Sequence, residues 1–296
     1  MFAADRHDEF KAERKAFRSI VTNEEYEGAR SSTKNAHYTS PEVIKGMWDA
    51  ITALGYKGGE AIEPSTGVGH FMGLIPDSVA PRTSWTAVEL DPLSARITKA
   101  LYGGAEVNNQ GFETLRRLPN YYDLAISNVP FGDYPLSERP HGTHLIHDFF
   151  FVKSLDKVRP GGVVAFITSK GTMDKADSGV RARLAKNSDL VVAIPLRGGN
   201  KGAFAGNAGT EVTTDIIFPR KKILGEPALP GADWMNLKEV QTPEGSTHIN
   251  QYFADRPDMM LGEMRLKGSM YGANEPVLIG EPDALREDCG GQSGGE

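Results

Sequence analysis

The sequence predicts an α/β fold with a doubly wound, mostly parallel sheet, and three observations predict it. Short apolar runs recur along the chain, AIEP at 61–64, WTAVEL at 85–90, DLAIS at 123–127, GVVAFIT at 162–168 and LVVAIP at 190–195, separated by segments with helical spacing. Strands that alternate with helices require a sheet covered on both faces. A glycine-rich turn follows the first run and an Asn-Val-Pro-Phe tetrapeptide follows the third, so both fall at strand carboxyl ends, where open α/β sheets bind ligands. A chain of 296 residues with 39% hydrophobic content supports one substantial core with short appendages.

Taken in order, residues 1–30 are densely charged, with Phe10, Phe17 and Ile20 loosely spaced as on a helix face. They read either as a peripheral helix with a linker or as a disordered leader. From Tyr38 the character changes: Thr39, Ser40 and Pro41 followed by Glu42 mark a helix start, with Val43, Met47, Trp48 and Ile51 at helical spacing behind it. The five apolar runs follow, Phe149, Phe150 and Phe151 are expected in the core, and a late run at 212–219 adds a strand. Beyond Arg220 proline, glycine and charge become dense. A main domain is therefore expected over 31–222, a small C-terminal extension over 223–280 and a disordered tail over 281–296.

Composition narrows the function. The single cysteine, Cys289, excludes an internal disulfide framework and a cysteine-built zinc site. No run approaches the roughly 18 consecutive apolar residues of a membrane span, and the first residues are charged where a signal peptide is apolar. An intracellular, cytoplasmic protein without a membrane partner is expected. A net charge of −6 is unfavourable for a stand-alone duplex binder, because Lys and Arg supply most non-specific DNA affinity. Any basic groove is local or comes from elsewhere; Arg181, Arg183, Lys186, Arg197, Lys201, Arg220, Lys221 and Lys222 are candidates, and ordinary solvated charge explains them equally well.

The turn Glu63-Pro64-Ser65-Thr66-Gly67-Val68-Gly69-His70-Phe71 joins a strand to a helix and lets backbone approach a ligand closely. Twenty residues beyond Gly69, Glu89 ends the next strand, where a carboxylate can accept both hydroxyls of a ribose. The turn lacks the Lys-[Ser/Thr] pair of a triphosphate loop and departs from the dinucleotide glycine spacing, so a nucleoside without a diphosphate suits it. A tight turn with no ligand is the alternative.

Asn128-Val129-Pro130-Phe131 closes the third run, and taken alone it also reads as a simple strand-ending turn. Together with the glycine turn before it and Thr39-Ser40-Pro41 near the N-terminus, it resembles the gamma-arranged S-adenosylmethionine-dependent amino-methyltransferases, whose tetrapeptide is Asn-Pro-Pro-aromatic. The match runs over about 38–220. The resemblance implies a seven-stranded Rossmann-like methyltransferase sheet with the last strand antiparallel, S-adenosylmethionine as cofactor, and methylation of the N6 amine of adenine in DNA after base flipping. An aryl amine is a poor nucleophile because its lone pair is delocalised; the Asn128 side-chain oxygen and the Val129 carbonyl could accept its two hydrogens and favour pyramidal nitrogen. Val129 stands where the family usually has proline.

The same resemblance assigns Tyr38, Thr39, Glu63, Pro64, Thr66, Gly67, Gly69, Phe71, Glu89, Leu90, Gln110, Gly111, Phe112 and Asn128 to the cofactor. It assigns Asn128, Val129, Pro130 and Phe131 to catalysis, and Phe131 and Phe204 to stacking on the base. Thr39 would hold the methionine carboxylate and Phe112 would cap the cofactor adenine; Gln110-Gly111 replaces the family's frequent Asp before that Phe, leaving Gln110 or backbone to read the adenine amine. His141, His144 and His147 recur every third residue but read as lid residues rather than metal ligands, within a stretch, 132–147, long enough to be a mobile cover. Only about 75 residues follow Lys221, too few for most target-recognition domains. The segment from Ile249 to Gly262 resembles stretches of large phage and mobile-element proteins that join this methylase to a helicase. A helicase or target-recognition region, in a larger protein or a separate subunit, is thus an expected partner, in a restriction-modification or mobile-element setting. Methylation of RNA or of a protein glutamine, and a non-catalytic cofactor-binding module, remain as alternatives.

Overall fold

The computed structural model describes residues 10–32, 39–132, 134–196, 214–227, 233–269 and 272–279. Of the expected site residues, Tyr38 and Phe204 lie outside them, as do Arg197, Lys201 and the 281–296 tail.

Seven strands form the central sheet: β1 (Gly59–Glu63), β2 (Thr83–Glu89), β3 (Glu106–Asn109), β4 (Tyr122–Asn128), β7 (Val158–Ser169), β8 (Ser188–Leu196) and β9 (Thr214–Lys221). Their spatial order is β3-β2-β1-β4-β7-β9-β8. The pairings of β1 with β2 and β4, β2 with β3, and β4 with β7 are parallel, whereas β9 runs antiparallel to both β7 and β8. The last strand is thus the antiparallel one, as expected. The strand order reverses between β1 and β4, which opens a crevice at their carboxyl ends. A separate hairpin, β5 (Pro135–Glu138) with β6 (Gly142–Leu145), is inserted after β4.

Alternation along β4 builds a core on each face. Leu124 and Ile126 pack with Val43, Ile44, Trp48 and Ile51 of helix α3 (Pro41–Ala53), while Ala125 faces the opposite cluster. Helix α3 starts as its sequence dictates: Pro41 occupies the first turn and the Ser40 hydroxyl accepts from Val43 N at 3.4 Å. Trp48 Nε1 donates to Phe71 O (3.0 Å) in the one-turn helix α4 (His70–Gly73), fixing α3 against the end of the glycine turn. On the other face lies α6 (Ile146–Lys157), whose Phe149, Phe150 and Phe151 are buried as expected. Burial of such a side chain contributes about 1.5–3 kcal/mol before chain entropy is counted.

Two helices, α1 (Lys11–Ile20) and α2 (Asn23–Ser32), precede α3. Helix α2 packs on α5 (Pro92–Leu101) through an Arg96–Glu25 ion pair (3.0 Å) and the approach of Gly28 to Asp91. At the other end, β10 (Leu237–Thr242), β11 (Gly245–Asn250) and a short helix (Gln251–Ala254) place Trp234, Ile249, Tyr252 and Phe253 in the same cluster as α6. Asn250 fastens this segment by donating to Met173 O (2.7 Å) and Trp234 O (3.0 Å). Strands β12 (Glu263–Ser269) and β13 (Gly272–Ile279) form a terminal hairpin. Among the described residues no helix is long and apolar enough to cross a membrane.

Candidate cofactor and acceptor cleft

A cavity of about 560 Å³ opens at the carboxyl ends of β1, β2 and β4. The turn after β1 is held from inside: Thr66 N donates to Val88 O (3.0 Å), Thr66 Oγ1 to Glu63 O (2.8 Å) and Gly69 N to Thr66 O (3.0 Å). Gly67 has φ +58° and a Cβ there would meet no protein atom within 4 Å, so its backbone is open to a ligand. Gly69, at φ +82°, serves packing instead, since a Cβ would collide with the Tyr102 ring and the residue does not line the cavity.

Glu89 is oriented by two backbone donors, Gly67 N to Oε2 (2.7 Å) and Asp91 N to Oε1 (2.8 Å). Each oxygen keeps acceptor capacity for a ribose hydroxyl. Burial raises the Glu89 pKa while these bonds oppose the rise. Asn109 Nδ2 fixes the following corner by donating to Glu89 O (2.8 Å) and Leu90 O (3.1 Å), leaving Leu90 exposed at the rim. Glu63 is only 1% exposed, and its Oε2 accepts no hydrogen bond among the described residues. Burial first, and the Glu89 charge second, push its pKa well above the ordinary glutamate range. A buried carboxyl with an orphan oxygen on a cavity wall calls for a partner.

The tetrapeptide meets this cavity directly. Asn128, the last residue of β4, donates through Nδ2 to Thr39 Oγ1 (3.1 Å), which fixes the amide with its oxygen at the opposite end. Ser127 Oγ donates to Ser65 O (3.1 Å), tying the same strand end to the glycine turn. Val129 N donates to Ile167 O (3.1 Å), extending the β4–β7 ladder by one residue. Proline at this position would have no N–H to give to that bond.

Thr39, Glu63, Pro64, Thr66, Gly67, Phe71, Glu89, Leu90, Gln110, Gly111, Phe112, Asn128, Val129 and Pro130 all line the one cavity. Phe131 is half-buried and lies outside its walls. Gly28 on α2, Asp91, Glu113 and Tyr134 also line it, although sequence reasoning does not single them out. Glu113 falls next to Phe112 and folds its carboxylate against Gly111, which has no room for a Cβ. A carboxylate near the position of the missing Asp is the available signal for it. Gly28 carries no such signal.

The stretch 132–147, expected as a loop long enough to be a mobile cover, contains a hairpin over 135–145, in which His141 bridges Glu138 (3.2 Å) and Asp156 (3.3 Å) and His144 Nε2 donates to His141 O (2.9 Å). The expected basic track is corrected by position. Arg220, Lys221 and Lys222 lie at the amino end of β7, across the sheet from Asn128, because β9 runs antiparallel. Lys221 Nζ is spent on Asn120 Oδ1, Asp156 O and Val158 O, and the buried Arg181 binds Met235 O and Thr172 O. These residues form no phosphate track beside the site.

The chain superposes with a TM-score of 0.54 on the type I restriction-modification system methyltransferase subunit from Streptococcus thermophilus, at 16% identity, covering 69% of this chain and 51% of that one. A Listeria monocytogenes protein described as a class I S-adenosylmethionine-dependent methyltransferase gives 0.53 at 16% identity, covering 77% and 70%. The fold is that of the class I methyltransferases. In sequence, 215 residues are 28% identical to the defense against restriction protein B of Escherichia phage P1, covering 69% of this chain. The chain spans 9% of the length of that phage protein. No family model matches. The cleft occupies the carboxyl edge of this methyltransferase sheet, at its strand-order reversal.

Proposed function

We propose that the chain transfers a methyl group from S-adenosylmethionine to the exocyclic N6 amine of adenine in DNA. The observation that carries this reading is the meeting, in one cavity, of Asn128 and Val129 with the Glu63–Gly67 turn and Glu89. Glu89 would accept the ribose hydroxyls, and Glu63 would face the positive end of the methionine portion. Thr39, whose hydroxyl accepts from Asn128 Nδ2 (3.1 Å), would hold the methionine carboxylate. When bound, S-adenosylmethionine supplies an electrophilic methyl group on a sulfonium.

The protein's own contribution is to prepare the acceptor. An adenine amine placed against Asn128 Oδ1 and the Val129 carbonyl donates one N–H to each, which draws the nitrogen lone pair out of the ring and stabilises positive charge as it develops there. The amine is a weak base, so no prior deprotonation is required; one N–H proton is released to water afterwards. Fixing nitrogen and methyl group in line supplies much of the rate.

The names of the similar proteins, a restriction-modification methyltransferase subunit and a phage protein of defence against restriction, support DNA as the acceptor. With net charge −6 and with Arg181 and Lys221 bonded internally, duplex recognition falls to another region or subunit, of target-recognition or helicase type. Tritium from labelled S-adenosylmethionine, offered with DNA, RNA and protein acceptors in parallel, tests the reading. Label in DNA as N6-methyladenine supports it; label confined to RNA or to a glutamine side chain overturns the acceptor, and cofactor binding without transfer to any acceptor indicates a non-catalytic module.

A further inference from the structure

Resting on the proposed adenine acceptor, we infer that Tyr134 is the aromatic platform on which the extruded base stacks. The tetrapeptide points to Phe131 for this role, yet Phe131 is off the cavity wall, whereas Tyr134 lies on it with Asn128, Val129 and Pro130. Tyr134 is 49% exposed, so part of its ring is open to a ligand. Its ring lies against Gly132, where a Cβ would stand 3.0 Å from Cε1.

The backbone under the ring is fixed. Tyr134 O accepts from Ile146 N (3.1 Å) at the base of the β5–β6 hairpin. Two residues past the ring, Leu136 packs on the main core; two further, Glu138 is anchored by buried Lys153 (2.6 Å) and by His141 (3.2 Å). A half-exposed aromatic beside a fixed hairpin, lining the same cleft as Asn128 and Val129, suits a planar base that presents its amine to those two residues. Stacking needs only a π-face and so tolerates any base, while Asn128 and Val129 select the amine.

The test is binding, read separately from turnover. Fluorescence anisotropy compares a single strand of abasic sugar-phosphate carrying one adenine with the same strand carrying none, for wild type, Tyr134→Ala and Tyr134→Phe. The wild type should prefer the adenine-bearing strand by about tenfold or more. Tyr134→Phe should keep that preference, and Tyr134→Ala should lose most of it with an unchanged thermal melt. An equal preference in wild type and Tyr134→Ala, no preference in wild type, or loss in Tyr134→Phe as large as in Tyr134→Ala would each overturn the inference. DNA methylation with a preference indifferent to Tyr134 removes this inference alone; a Tyr134-dependent preference without DNA methylation removes the proposed reaction alone.

Discussion

Glu63 has a carboxyl that water does not reach and that no donor among the described residues satisfies at Oε2. Burial first and the Glu89 charge second raise its pKa, so between the ordinary glutamate value and the raised one the folded, ligand-free protein holds a proton that the unfolded chain releases. The associated stability is full below the ordinary glutamate pKa and is lost as pH rises from that value through the raised one. A cationic ligand reverses the preference by favouring the carboxylate, so its binding releases the proton. S-adenosylmethionine affinity measured by calorimetry should therefore tighten as pH rises through this window. Glu63→Gln should bind about tenfold more weakly with little pH dependence. The same variant, ligand-free at pH 7 to 8, should melt higher than wild type, by about 2–4 °C for each kcal/mol of relieved desolvation. An affinity that does not change with pH in wild type would refute this role.

Residues of this kind are legible in the sequence because their chemistry is carried by letter and spacing. Gly67 and Gly69 signal backbone freedom, Glu89 follows at a ribose-binding interval, and Asn128 ends a strand. Gly28 and Tyr134 are not legible as site residues because only the folded chain brings them to the cleft. The meaning of Val129 is half legible: a carbonyl is evident, but its N–H bond to Ile167 depends on a neighbouring strand 38 positions away.

Among the elements, the β5–β6 hairpin departs furthest from what the sequence pattern suggests. PLSE and GTHL are too short and too polar to show the two-residue alternation of a half-buried strand. What orders them lies on α6: Lys153 is fully buried and donates to Glu138 (2.6 Å), Glu113 O (3.1 Å) and Leu115 O (3.1 Å), with its ammonium 5.0 Å from the Phe112 ring centre. Hairpin, cofactor-side turn and helix thus share one buried charge. Removing its counter-charge should be costly: Glu138→Ala should lower unfolding stability by about 3 kcal/mol in urea denaturation. The double variant Glu138→Ala/Lys153→Met should recover most of that loss. A single variant as stable as wild type would show that the pair does not hold the hairpin. The all-round burial of α6 also explains why its sequence lacks a clear polar face.

At the scale of the whole molecule, the strand order decides what the residues can do. The sequence pattern shows strands alternating with helices; it does not by itself show that β9 inserts between β7 and β8, which is a matter of pairing. That insertion turns β9 around and carries Arg220, Lys221 and Lys222 to the edge away from Asn128. There Lys221 and Lys222 donate to backbone carbonyls. The reversal between β1 and β4 brings the Glu63–Gly67 turn, Glu89 and the Asn128–Pro130 segment into one cavity. Methyl transfer to an amine requires that junction. Its most direct measurement is nucleoside mass spectrometry of DNA initially free of N6-methyladenine, incubated with S-adenosylmethionine and either wild type or Asn128→Ala. Wild type should form N6-methyladenine, and the variant should form it at least about a hundredfold more slowly while still binding the cofactor. N6-methyladenine formed by Asn128→Ala at the wild-type rate would contradict the assignment of Asn128 and Val129 as the amine acceptors.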